Sequence, residues 1–231
     1  AGMNIELILL ITESVLLLVT LGFLLYSIRE GQQRSRLLIE VKHATRTLTR
    51  VEYFLTISES LLESKNLVVG CVTGRRPLSD DDKKIDTILN NIKQATSRGV
   101  KIKYILPKLP ERLYMGCLYE SAGAEIRYAS CSLVHSMRYM IVDKSLVLIG
   151  IPESAGEKTA TSRGHKLPAI GLASILQTHF DECWERDLPV EGYIKEVMAH
   201  TGMSVKQVSN ELGIDAKTLS RYVDSPSLQT P

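Results

Sequence analysis

Between residues 135 and 153 the chain carries His135, Ser136, Met137 and Arg138, then Asp143, Gly150 and Glu153. Arg138 offers a forked, permanently charged phosphate ligand, which Met137 cannot. Ser136 without a base beside it is a poor phosphorus nucleophile. If the segment is an extended strand, Ser136 and Arg138 share one face and His135 points to the other, unless a one-residue bulge turns the imidazole back. With the bulge, nucleophile and phosphate clamp coexist; without it, the site keeps a cation and a carboxylate. An Arg138–Asp143 ion pair inside a hairpin fits the same residues and does no chemistry. A second constellation, Lys217, Thr218, Ser220 and Arg221, has the types that contact phosphates and base edges when a helix enters a groove.

Elements able to position the first group follow from periodicity. Leu67–Thr73 is an apolar run of strand length, followed by a loop and by a helix from Asp82 to about Arg98 with Ile85, Ile88, Leu89 and Ile92 on one face. Val100–Leu106 alternates as a strand, Glu111–Ser121 fits a helix, and Ala124–Ala129 returns as strand. Two more strands, Met137–Asp143 and Ser145–Ile151, read as a hairpin turning at Asp143 and Lys144. Residues 153–166 have the small, polar composition of a loop, Leu167–Leu172 is a candidate last strand, and Ser174 can cap a closing helix. Strand and helix alternation implies an α/β domain with a parallel or mixed sheet covered on both faces.

The stretch from His135 to Glu153 resembles the phospholipase D superfamily signature H-x-K-x4-D-x6-G-S-x-N, and with the flanking pattern the resemblance covers roughly residues 52–187. It implies a phospholipase D-like mixed sheet, a histidine nucleophile, a cation on the phosphate and an acid that supports a histidine. His135, Arg138 and Asp143 are then the catalytic candidates, and Ser136, Arg138 and Glu153 the ligand-binding ones. Because such sites join two motifs and this chain has one candidate, the resemblance implies a homodimer sharing one site. Asp143 to Gly150 keeps the spacing, but Ile151 and Glu153 replace the family's Ser and Asn. His135 stands eight residues before Asp143 instead of seven, so Ser136 falls at the histidine position and Arg138 at the lysine position.

Outside that region the apolar content concentrates near the start. Leu7–Ile28 is 22 residues long with Glu13 as its one acid or base, enough at 1.5 Å per residue to span a bilayer core of ~30 Å. Residues 1–28 are therefore expected to be a transmembrane anchor, not a cleaved signal. Arg29, Arg34, Arg36, Lys42, Arg46 and Arg50 follow it, so the N-terminus should lie outside and the rest in the cytoplasm. Glu13, an acid at membrane depth, is a functional candidate. Residues 29–64 are expected to form a helical stalk: Leu37, Val41, Ala44, Leu48, Val51 and Leu55 alternate steps of four and three, the seam of a parallel coiled coil, and one amphipathic helix packed on the next domain gives the same stripe.

The domain at 65–187 is followed at 188–224 by a pattern that resembles a helix-turn-helix. Ser204 and Gln207 make a capping box, Gly213 ends the first helix, Asp215 caps the second, Leu219 faces inward, and the small Ser209 sits where the helices cross. From Pro189 onward there are four Lys or Arg and five Asp or Glu, a net of −1, so one copy should bind DNA weakly and two copies would add avidity. Residues 225–231 should be a disordered tail. The overall net charge of +2 excludes a strongly basic nucleic-acid coat, and 44% hydrophobic residues exclude wholesale disorder. Cys71, Cys117, Cys131 and Cys183 lie far apart without a C-x-x-C pair and are expected to be reduced and mostly buried. No metal and no cofactor is expected.

Two functions remain open on sequence. One is a membrane-tethered dimeric regulator or adaptor, a pseudoenzyme that binds DNA, a protein partner or an anionic, phosphate-containing ligand. The other is a membrane-associated phosphodiesterase, of phospholipase or nuclease type, with one active site shared across a homodimer.

Overall fold

The computed structural model describes residues 15–23, 26–27, 29, 46–76, 82–131, 134–135, 137–152 and 161–223. The chain divides into two units, Ala1–His43 and Ala44–Pro231. In the first, residues 15–23 and 26–27 are helical. Val15, Leu16, Leu17, Leu18, Val19, Leu21 and Phe23 are all 51% to 73% exposed, so that helix has no buried face. No helix among the described residues is long and apolar enough to cross a membrane. Glu13 and the rest of Leu7–Ile28 lie outside the described residues, as do Arg34, Arg36, Leu37, Val41, Lys42, Ala44 and the tail at 225–231.

The second unit holds an eight-stranded mixed sheet in the order β1-β7-β6-β5-β2-β3-β4-β8. Its strands are β1 (Arg46–Thr49), β2 (Leu67–Cys71), β3 (Lys101–Pro107), β4 (Glu125–Ala129), β5 (Arg138–Val142), β6 (Leu146–Pro152), β7 (Thr161–Pro168) and β8 (Leu188–Pro189). Only the neighbours β2–β3 and β3–β4 run parallel. The described helices of this unit are α1 (Arg50–Glu63), α2 (Asp82–Ser97), α3 (Leu113–Ser121), α4 (Ile170–Arg186), α5 (Val190–Thr201), α6 (Val205–Leu212) and α7 (Ala216–Val223).

Alternation along the strands sorts the core into two layers. Val68, Ile102, Tyr104, Met140, Val142 and Leu148 pack with Tyr53 and Leu61 of α1 and Ile88 and Ile92 of α2. The intervening Val69, Cys71, Tyr139, Ile141 and Val147 are equally buried and face the layer of α4, which buries Ala173, Leu176, Phe180, Cys183 and Trp184. Each fully buried Leu or Ile contributes roughly 1.5–3 kcal/mol.

Three boundaries differ from the sequence expectations. The stalk expected at 29–64 does not extend over residues 46–64: β1 pairs antiparallel with β7, and α1, begun by a Thr49–Glu52 capping box, buries Tyr53 and Leu61. The coiled-coil stripe breaks accordingly, with Leu48 buried in β1 and Val51 and Leu55 exposed on α1. Residues 161–166, expected in a loop, belong to β7, whose polar side chains mask a pairing with β6 and β1. The closing helix starts at Ile170, so Leu172 and Ser174 lie inside it. The hairpin turn forms as expected: Asp143 and Lys144 both have positive φ, 48° and 58°, the backbone of a tight primed turn.

The segment expected as a separate module at 188–224 shares the core of the sheet unit. Val190, Tyr193, Ile194 and Val197 of α5, Val208 of α6, Ile214 and Leu219 of α7 are continuous with Tyr128 and Leu106. Lys108 bridges to Glu196 at 2.6 Å, Arg76 donates to the Leu212 carbonyl, and the Tyr222 hydroxyl donates to Glu120. Too few apolar side chains lie within 188–224 to make a core alone, so these helices complete that of the sheet.

Candidate functional site

Leu48, Gly164, Gly150 and Arg138 pair in succession across β1, β7, β6 and β5 and therefore face the same layer. Two of these positions carry no side chain. Tyr53 of α1 fills the space over one of them: a Cβ on Gly164 would overlap its ring. Arg138, the first residue of β5, points into the same layer and is 8% exposed. Arg112 joins it from the turn Pro110–Arg112 after β3 and is 3% exposed, its carbonyl accepting the Tyr128 hydroxyl at 3.3 Å. Arg75 reaches the group from the segment after β2.

These three guanidinium groups gather beyond the carboxyl ends of the parallel strands β2 and β3, the edge where open α/β sheets place ligands. Burial pushes the Arg138 guanidinium below its ordinary value; Tyr53 opposes that shift, while Arg112 and Arg75 add to it.

Asp143 is not part of that group. It lies past the other end of β5, where its carboxylate accepts the backbone N–H groups of Lys65, Asn66 and Leu67 at 2.9, 2.9 and 3.0 Å. Partial burial pushes its carboxyl up, but the three donors outweigh this and hold it below the usual carboxylate range. The expected Arg138–Asp143 ion pair is corrected by this placement, because β5 separates the two residues by its length. Asp143 ties the entry of β2 to the β5–β6 turn.

His135 also departs from expectation. Neither a regular strand nor a bulge holds it: Val134 and His135 form a helical turn before β5, their N–H groups donating to the Cys131 carbonyl at 3.1 and 3.4 Å. The face-alternation rule therefore does not govern His135 relative to Arg138. Ser136 and Glu153 lie outside the described residues.

On the opposite face of the sheet, one residue along from Arg138, Tyr139 meets a different group. Its hydroxyl donates to the Leu176 carbonyl at 3.3 Å and lies 3.3 Å from His179 Nδ1. His179 Nε2 is 3.5 Å from both Cys131 Sγ and Cys183 Sγ. Burial pushes the Cys183 thiol up to about 11 and the Cys71 thiol up to about 12. The cluster escaped sequence reasoning because Cys131 comes from the segment after β4; the available signal was His179 and Cys183 at i and i+4 on α4.

Solved structures resemble the chain, among them the three that follow. TrmBL2, an archaeal chromatin protein described with a novel mode of DNA binding, is 18% identical, covers 74% of this chain and 67% of its own, and has a TM-score of 0.44. Nuc from Salmonella typhimurium, a phospholipase D family member, is 15% identical over 63% of this chain and 96% of its own, with a TM-score of 0.47. NucT from Helicobacter pylori is 10% identical over 63% and 98%, with a TM-score of 0.48. No protein-family model and no curated relative matches. At these identities no residue role transfers to this chain.

The second constellation sits on α6 and α7. Ser204 and Gln207 form the expected capping box, and Gly213 ends α6 with a φ of 61°, a left-handed conformation that suits glycine. Ser209 Oγ donates to the Ile214 carbonyl at 2.6 Å, closing the turn. Asp215 accepts the Thr218 N–H at 3.1 Å, which uses Thr218 as part of the cap. Lys217 and Arg221 are exposed one turn apart on α7, Thr218 and Ser220 are half-buried, and Leu219 points into the core.

Proposed function

We propose that the chain is a membrane-tethered, dimeric, DNA-binding regulator whose phospholipase D-like sheet domain binds an anion without cleaving phosphodiesters. The observation that carries this reading is the division of the motif along β5. Arg138 stays at the buried edge with Arg112 and Arg75, whereas Asp143 is bound to three backbone N–H groups at the far end. An acid so placed orients no base, and guanidinium groups clamp phosphate without transferring protons.

Other features support the remaining parts. The helix at residues 15–23 is mostly apolar and its apolar side chains are exposed, which suits lipid. On α1, Val51, Leu55 and Leu62 are 56%, 56% and 42% exposed along one face, an apolar stripe fit for a second copy. On α7, the exposed Lys217 and Arg221 suit phosphate or base contact, with α6 bracing the helix.

Electrophoretic mobility shift of the full chain on duplex DNA tests the DNA reading. The proposal expects binding that weakens steeply between low and moderate salt and falls at least tenfold in Lys217→Ala/Arg221→Ala. No shift at either salt, or a shift that the double variant leaves unchanged, removes DNA as the partner. The phosphodiesterase alternative draws on the nearness of His135 to Arg138 in the chain and predicts instead turnover of a phosphodiester that needs His135.

A further inference from the structure

We infer that Cys131, His179 and Cys183 form a zinc-binding site on the α4 face of the sheet. The three donor atoms all lie within 4.8 Å of one another, and this is the set of metal-compatible side chains found among the described residues. Zinc bound to sulfur at about 2.3 Å and to nitrogen at about 2.0 Å with tetrahedral angles separates those two ligands by about 3.5 Å. Both sulfur–Nε2 separations here are 3.5 Å.

The surroundings set the imidazole for this role. Tyr139 gives its hydroxyl proton to the Leu176 carbonyl, so its oxygen is free to accept from His179 Nδ1–H. With the proton on Nδ1, Nε2 carries the lone pair, and Tyr139 gives the outer-shell support that metal-binding histidines usually have. Asp187, at the end of α4, lies within electrostatic reach of His179 and Cys183, and its buried Oδ2 has no hydrogen-bond partner. Cys183 is buried, whereas Cys131 and His179 are half-buried, which leaves an entry path for the ion.

The site has a structural consequence for the opposite face. Cys131 also supplies the carbonyl that holds the Val134–His135 turn, so a zinc ion would pin α4 to the segment leading into Arg138.

The test is zinc content of the full chain, purified with reduced thiols, loaded with excess zinc and dialysed, and then measured by elemental mass spectrometry. Wild type and Cys117→Ala, a buried thiol on α3, should retain one zinc per chain. Cys183→Ser and His179→Gln should retain less than a tenth as much. Cobalt added to the zinc-free wild type should give a thiolate-to-cobalt charge-transfer band, a readout that does not depend on any variant folding. A wild type that holds no zinc and gives no such band, or retention by Cys183→Ser and His179→Gln equal to wild type, would overturn the assignment.

Discussion

Arg138 and Tyr139 are neighbours in the chain and serve opposite faces of the same strand. Towards α1, Arg138 joins Arg112 and Arg75, three hard cations. Towards α4, Tyr139 meets an imidazole and thiols, soft neutral donors that suit a metal ion. The pleat separates two incompatible chemistries by one residue, and the sheet between them insulates each from the other. The difference lies in the charge of what was brought together.

The largest effect is expected on the cationic face. Gly164→Val would drive a branched side chain into the Tyr53 ring and should cost about 3 kcal/mol or abolish folding, seen as a lower midpoint in urea. An unchanged midpoint would mean that α1 does not seat on β7 as described. Asp143→Ala comes next, at about 2 kcal/mol after discounting for partial exposure, because three backbone donors lose their acceptor.

The same carboxylate sets a pH dependence. Its folded value lies below the unfolded one, so its contribution is fully present above the ordinary carboxylate range and disappears as pH falls through the lowered value. Asp143→Asn should flatten that acid limb of the stability curve; a limb identical to wild type would remove Asp143 as its source. On the other face, Tyr139→Phe should cost about 1 kcal/mol by thermal melting. If the hydroxyl orients His179, the same variant should also lower zinc retention by tenfold or more, whereas a purely packing role would leave retention intact.

Much of the fold was legible because apolar periodicity reports local elements directly. The strands at Leu67–Cys71 and Lys101–Pro107, the hairpin turning at Asp143 and Lys144, and the Ser204–Gln207 and Asp215 caps follow from patterns confined to a few residues. β1 was hidden inside an apparent helical stripe, since Leu48 fits both a heptad and a strand. β7 was hidden by its polar sequence, Thr161 to Pro168, in which Gly164 is needed for close approach to Tyr53. Arg138 was identifiable from its motif, but Arg112 and Tyr53 come to it only through tertiary packing. The same holds for Cys131 and His179, which lie 48 residues apart.

The central claim is that the Arg138 site binds without cleaving, and hydrolysis of a generic phosphodiester tests it most directly. The wild-type chain and His135→Ala, assayed side by side, should both release product no faster than buffer. Robust turnover by wild type that His135→Ala abolishes would contradict the account and return the chain to the phosphodiesterases.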